Sequence, residues 1–440
     1  MSTNYNIDIV PSNVASNSKV SFRGGNPVIQ FIIGSQDRML LGNSLRFTGK
    51  FRCLTADGTV SSAATPLAMS EKLGVYSCID TLTIKSQRTG QTIETIRNYN
   101  RFLASYLPVT TSKEDNMGHM YASALILPNY AAQTESVVNI PSGSATQNHF
   151  CMALPCGLFN GGEPIPLMDE AIGGLLVELH LSPDSQVFHS NTDSSTALTD
   201  SFYEFSDITL AAEVMDPEPQ VLAQLKSRTS ATYEYNSISS YYQTINSGNG
   251  IINFQLGLSR VLGVFANVVP ASHINNVLFD GLATLYPTNT DGLAAPIQEL
   301  FFTRNGTKFP IDFNITTLQQ DLTTFSESGG NVTTPDSEII RNYMNAIQRF
   351  ANIHRTSLRP QNLEYSDSSR FDKDTAFGGC GWGVGVAMDT VSDQGVDFST
   401  VNFGMNMNLM LNTDSPQSFY MFVHAKNTLV FGPQGLQVIN

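Results

Sequence analysis

Charged side chains are scarce in this 440-residue chain: Asp, Glu, Lys and Arg together make up 14% of it, against roughly 25% in an ordinary soluble domain. A surface so short of ionic groups must be built from amides and hydroxyls, or be covered by other subunits. Basic tracts are absent, and the formal net charge is −14. That balance argues against wrapping nucleic acid, because phosphate binding works by counterion release through clustered Lys and Arg. No apolar run of 18 or more residues occurs, so no membrane-spanning helix is expected. Residues 1–20 lack the apolar stretch of a secretory signal, and synthesis without one is expected. The five cysteines, Cys53, Cys78, Cys151, Cys156 and Cys380, are odd in number, which favours reduced, buried thiols over a disulfide framework.

Signatures of catalysis are missing too. There is no Gly-x-Ser-x-Gly elbow, no His-Glu-x-x-His, and no Ser-x-x-Lys beside a plausible base. His149, Cys151 and Cys156 could ligate a metal, but their spacing fits no zinc pattern and no fourth ligand is evident. Asp389, Asp393 and Asp397 recur at four-residue spacing without the strict calcium-loop pattern, and a solvated loop is expected there. The glycine-rich run from Gly378 to Gly385 lacks the Lys-Ser/Thr of a phosphate loop. Instead Gly379, Gly381, Gly383 and Gly385 alternate with Cys380, Trp382, Val384 and Val386, which reads as a strand with one bare face for close packing. Sequons at Asn305, Asn314 and Asn331 are taken as coincidental in the absence of a secretory signal. Neither a cofactor nor a metal is expected.

What the chain does contain is a repeat. Phe31-Ile32-Ile33-Gly34 returns as Phe254-Gln255-Leu256-Gly257, and Glu94-Thr95-Ile96-Arg97-Asn98-Tyr99 returns as Glu338-Ile339-Ile340-Arg341-Asn342-Tyr343. Leu181-Ser182-Pro183-Asp184-Ser185 matches Leu411-Asn412-Thr413-Asp414-Ser415, and Phe202-Tyr203-Glu204-Phe205 matches Phe419-Tyr420-Met421-Phe422. Four matches in one order imply one domain built twice, each copy about 220 residues, within the ordinary range for an all-β domain.

Strand periodicity dominates both halves. Val401, Phe403, Met405, Met407, Leu409 and Leu411 alternate with mostly polar partners, as do Leu175, Val177, Leu179 and Leu181, and Ile208, Leu210, Ala212 and Val214 share one face. Leu179, Leu181, Leu210, Leu409, Leu411 and Val430 are expected in the cores. Each half has one helical stretch after a strand, a turn and a strand. The first is Tyr99, Phe102, Leu103, Tyr106 and Leu107, stopped by Pro108; the second is Ile340, Tyr343, Met344, Ile347, Phe350 and Ala351, after Pro335-Asp336. The turns before them are Arg88-Thr89-Gly90 and Asn305-Gly306. Residues 55–66, 184–201 and 329–335 read as exposed loops. Residues 1–21 read as an arm that orders only on contact and whose removal up to residue 20 would spare a trimer. The first domain is placed at 22–219 and the second at 220–440, with a crossover at about 216–232 marked by Pro217 and Pro219.

The segments Phe202 to Val214 with the Pro217/Pro219 crossover, Leu258 to Phe265, the Arg304 to Pro310 hairpin and Asn427 to Gly432 give the chain its likeness to a known family. It resembles the double jelly-roll major capsid proteins of tailless icosahedral DNA viruses, in the style of polinton-like viruses and virophages. The resemblance implies an all-β protein of two tandem eight-stranded jelly rolls, each with one short helix in a loop. It further implies a homotrimer with a pseudo-hexameric outline, located in the virion and touching itself, penton proteins and minor or cement proteins. By the same analogy the arm, with Tyr5, Ile7 and Ile9, would lie on the inner face against a membrane or membrane-associated protein, without sequence-specific nucleic acid binding. Few insertions are long enough to build external towers, so a smooth outer surface is expected. Two rival readings stay open: a lectin-like or receptor-binding double sandwich, and a jelly-roll glycoside hydrolase needing two inward carboxylates about 5 to 9.5 Å apart.

Overall fold

The structure is a computed structural model. It describes residues 4–15, 18–59, 67–70, 73–110, 124, 148–160, 164–168, 172–190, 200–228, 230–245, 249–277, 281–282, 297–311, 337–350, 383–388, 394–409, 416–432 and 435–440.

The first half contains strands β1 (Asn4–Ile9), β2 (Val28–Gly34), β3 (Met39–Leu54), β4 (Leu67–Met69), β5 (Ile79–Ser86) and β6 (Thr92–Arg97), then helix α1 (Tyr99–Thr110). It continues with β7 (Asn148–Ala153), β8 (Ile165–Pro166), β9 (Gly174–Leu181), β10 (Phe188–Ser190) and β11 (Phe202–Met215). Helix α2 (Pro219–Ser227) carries the chain across, with Pro219 in its first turn, where a missing N–H costs nothing. The second half has β12 (Ala231–Ile245), β13 (Asn249–Phe254), β14 (Val261–Pro270), β15 (Ile297–Arg304), β16 (Thr307–Lys308), helix α3 (Ser337–Phe350), β17 (Val384–Ala387), β18 (Phe403–Leu409), β19 (Gln417–Gly432) and β20 (Gly435–Ile439). Asn305 (φ 50°) and Gly306 (φ 80°) make the β15–β16 turn, left-handed at both positions as a two-residue hairpin requires.

Strand order reveals the duplication directly. The first half forms two sheets, β1-β11-β3-β7 with β8 beside β3, and β2-β9-β5-β6. In the second half the orders are β12-β19-β14-β17 with β20 beside β19, and β13-β18-β15-β16. Element by element the two pairs of sheets match, with α1 and α3 after the last strand of each second sheet. Every pairing is antiparallel.

Three of the four sequence repeats begin in or just beyond matching strands: β2 and β13, the ends of β9 and β18, and β11 and β19. The other is not equivalent. Glu94 to Tyr99 runs from strand β6 into the first residue of α1, whereas Glu338 to Tyr343 lies inside α3.

Within the first roll, alternation sets the core. Leu179 and Leu210 are fully buried, Leu181 nearly so, and Phe31, Phe47, Phe150 and Phe205 pack ring to ring with centroids 5.0 to 6.0 Å apart. In the second roll Val264, Ala266 and Val268 of β14 join Phe419, Met421, Val423 and Ala425 of β19. The other face of the same sheet, with Phe265, Val269, Tyr420 and Phe422, belongs to the first roll's core. That is why all ten residues of β14 are buried.

Five expectations need correction. Residues 4–9 are not a free arm: β1 pairs with β11 from Asn4↔Met215 to Ile9↔Leu210, and without it the first roll would lack one of its eight strands. Residues 184–201 do not begin as an open loop, because Val187 and Phe188 bury and β10 pairs with β4. Helix α1 does not stop at Pro108 but runs to Thr110. Proline there loses only the bond to the Ala104 carbonyl, while Thr110 Oγ1 donates to the Tyr106 carbonyl and Val109 is buried. Val430 is half-buried on the face opposite Leu429 and Phe431, which are the buried pair. The strand expected over 401–412 spans Phe403–Leu409 among the described residues, with the Leu409 side chain and Leu411 outside them.

Candidate assembly interface

The two rolls meet along a junction that is apolar at its centre and closed by specific polar contacts. Helix α1 is buried on nearly all sides, including its polar residues Asn100, Arg101 and Ser105. A helix without a wet face belongs between two layers. Phe102 is its hub, with ring centroids 6.1 Å from Phe265, 5.7 Å from Phe422 and 5.8 Å from Phe350 of the second roll. The Arg101 guanidinium lies 4.2 Å over the Tyr420 ring and donates to the Gly281 carbonyl at 2.6 Å. Asn267, on β14, donates to the Arg101 carbonyl and to Ser105 Oγ, both at 2.9 Å.

Beside this cluster a carboxylate ties three segments together. Glu94 of β6 is buried; its Oε1 accepts N–H bonds from Gly157 (3.1 Å) and Ile238 (3.0 Å), and its Oε2 accepts from Leu158 (2.9 Å). Gly157 and Leu158 open a helical turn of the first roll, while Ile238 lies on β12, the edge strand of the second. Burial outweighs these three bonds and pushes the Glu94 carboxyl up to about 7. Tyr235 Oη donates to the Ile93 carbonyl at 2.8 Å, and burial pushes its hydroxyl up. A Cβ on Gly157 would lie 1.7 Å from the Asn236 carbonyl oxygen, so the backbones touch at a separation only glycine permits.

The glycine-rich segment has the same character where it is described. On β17, a Cβ at Gly385 would lie 2.8 Å from the Val264 carbonyl oxygen, and Gly383 is buried. Gly379 and Gly381 lie outside the described residues, as do Cys380 and Trp382. On β1, Ile7 and Ile9 pack against the first roll's own core, and Tyr5 lies under the Arg38 guanidinium at 4.8 Å. The expected inner-face contacts of Ile7 and Ile9 are therefore occupied by their own chain.

No group of three or more His, Cys, Asp or Glu is placed to hold a metal among the described residues, and Cys151 is exposed while Cys53, Cys78 and Cys156 are buried. Asp397 is exposed and accepts from the Ser399 N–H and hydroxyl, a loop-closing contact that lowers its carboxyl. None of the described helices is long and apolar enough to cross a membrane. Glu94, Gly157 and Asn267 escaped the sequence reading because each works through backbone groups distant in the chain. The one available signal was Arg101 and Ser105 lying among the apolar positions of α1.

No protein-family model matches the chain, and no curated protein matches its sequence. Solved structures do. PBCV-1 VP54 fitted into a reconstruction of the virophage Sputnik superposes with a TM-score of 0.59 at 11% identity, covering 100% of this chain and 97% of that one. The Faustovirus major capsid protein gives 0.58 at 8% identity over 97% and 90%. The Sputnik virophage structure gives 0.54 at 13% identity over 100% and 88%. This chain is a double jelly roll. The Faustovirus neighbour is a major capsid protein. At these identities the likeness carries the fold, which spans both rolls and the crossover of this double jelly roll.

Proposed function

We propose that this double jelly roll is the major capsid protein of an icosahedral DNA virus, of the polinton-like or virophage type, acting without catalysis or cofactor. The observation that carries the reading is the same eight-strand order built twice in one chain and joined by a buried junction. Six similar units from three chains make a near-hexagonal ring, and a flat ring of that outline tiles a facet with one kind of subunit. The whole-length likeness to capsid proteins supports this reading. Contacts between rings are broad and individually modest, summing through multivalency. Partners are then further copies of itself, a penton protein, minor or cement proteins and an inner membrane layer, in the virion. Light scattering coupled to size exclusion tests it: a mass of three times 47.9 kDa, with hexagonal outlines in negative stain, is expected. A monomer at all concentrations, with binding on a glycan array, overturns it in favour of a binding module.

A further inference from the structure

A polar trough lies on the first roll, over the outer face of β5, β6 and β9, with a volume of about 540 Å³. That is within the roughly 300–1,000 Å³ of ordinary small-molecule sites. Strand alternation builds it. Leu82, Ile84, Ile96, Val177 and Leu179 point into the core, so Thr81, Thr83, Lys85, Thr95 and Glu178 point out. Register sets them in rows, with His180 and Arg97 flanking Thr81, and Glu178 and Thr95 flanking Thr83. Thr83 and Glu178 face outward yet are each only 6% exposed, which makes them the floor of the trough. Two carboxylates in the lining, Asp80 and Glu178, offset two cations, Lys85 and Arg97. Glu178 accepts from Gln30 Nε2 at 2.8 Å and pairs with Lys85 at 2.6 Å, and Asp80 accepts from the Thr81 hydroxyl at 2.9 Å. Arg97 is exposed and makes no ion pair among the described residues. At its Asp80 end the trough runs towards the junction of the two rolls: burial chiefly raises the Tyr420 hydroxyl, and Asp80 is close enough to add to the rise. Tyr242 of β12 packs on Tyr420 with ring centroids 4.9 Å apart and is 51% exposed. The second roll thus sets an aromatic ring beside a polar floor that belongs to the first.

We propose that this trough is a binding site for a short neutral saccharide, a function additional to building a shell. The lining selects the ligand class. It is polar throughout, so an apolar ligand finds no wall to bury against. A charged ligand meets carboxylates and cations in equal number and gains little. A neutral chain of hydroxyls is matched: threonine hydroxyls donate and accept, the Arg97 guanidinium supplies a fork of donors, and Asp80 accepts. Tyr242 offers its ring to the apolar C–H face of a sugar. One such site binds weakly, and many copies on one particle multiply the effect. On the capsid reading the site would attach a particle to a sugar-coated surface, but the site does not rest on the homotrimer.

Titration calorimetry on the full chain tests the site, with lactose, maltotriose and chitotriose as neutral probes and 3′-sialyllactose as the acidic one. Binding of at least one neutral probe in the millimolar range or tighter is expected, with no gain from the sialic acid carboxylate over lactose. For the probe that binds, Arg97→Ala removes an exposed set of donors and Tyr242→Ala removes the ring. Each should weaken binding about tenfold. Lys226→Ala, on α2 and outside the trough, should bind as the wild type does. Failure of every neutral probe, or a preference for sialyllactose, overturns the proposal. Arg97→Ala or Tyr242→Ala binding as tightly as the wild type overturns the placement of the site. Light scattering on the same samples separates this inference from the capsid reading: a trimer that binds no saccharide leaves the capsid reading standing, and a monomer that binds through Arg97 leaves only the site.

Discussion

Glu94 should make the stability of the double roll depend on pH in a direction opposite to that of an ordinary salt-bridged carboxylate. Its folded-state value of about 7 lies above the value of 4.5 for a free glutamate. Between those limits the folded chain holds a proton that the unfolded chain releases. The contribution of Glu94 to stability is therefore fully present below about pH 4.5, and is lost as pH rises through about 7. The span of about 2.5 units corresponds to about 3 kcal/mol at 1.36 kcal/mol per unit. The groups facing Glu94 keep one charge state across this window: burial raises the Cys156 thiol and the Tyr99 and Tyr235 hydroxyls. Denaturant midpoints of wild type and Glu94→Gln, measured from pH 4.5 to 8, isolate the effect, because every other titrating group contributes equally to both. Gln loses one favourable acceptor, so a constant offset of about 1–3 kcal/mol at low pH is expected. The gap should then close as pH rises. Parallel curves would refute the reasoning, since they would mean that Glu94 titrates alike folded and unfolded.

Gly157→Ala places a methyl 1.7 Å from the Asn236 carbonyl oxygen. Relief requires the helical turn to leave β12, and a loss of about 3 kcal/mol or more in thermal or denaturant unfolding is expected. Phe102→Ala opens a cavity among Phe265, Phe350 and Phe422, with an expected cost of about 3–5 kcal/mol in denaturant unfolding. Deleting residues 1–10 removes β1 from its sheet and uncovers Leu210, Ala212 and Val214. Aggregated or protease-sensitive product is expected, and a trimer of wild-type stability would show that β1 is dispensable.

Strand class and duplication were legible in the sequence because both are periodic. Leu175, Val177, Leu179 and Leu181 repeat every second residue, and burial follows the repeat. β14 was less legible: with both faces covered it shows no alternation, only an apolar run. The role of β1 was hidden because Asn4, Asn6 and Asp8 face outward, leaving only Tyr5, Ile7 and Ile9 to mark a strand, and two polar-flanked isoleucines resemble a tail. Residues 184–201 misled for a related reason: Val187 and Phe188 are the apolar pair buried within an otherwise polar stretch. Glu94 was visible only as part of a repeat whose second copy is not equivalent. Its function depends on the N–H of Ile238, 144 residues away in the chain.

The two corresponding sheet faces have opposite chemistry. The second roll's outer face presents Phe265, Val269, Tyr420 and Phe422, which would be an aggregation hazard in water, so it must be covered while the chain folds, by its own first roll. The first roll's equivalent face presents Thr48, Thr209, Ala211 and Glu213, which water tolerates. Four of the charges on that face are neutralised within the sheet, Lys50 lying 2.7 Å from Asp207 and Arg52 bonding to Glu204. Under the capsid reading proposed above, a second chain covering that face would desolvate mainly paired ions and hydroxyls, which would keep the contact modest and reversible. A shell assembled from modest contacts can shed a misplaced subunit, whereas a core assembled from aromatic rings cannot. Aromatic burial is thus used once, between the chain's own halves, and the capsid reading leaves the polar face for contacts with other copies.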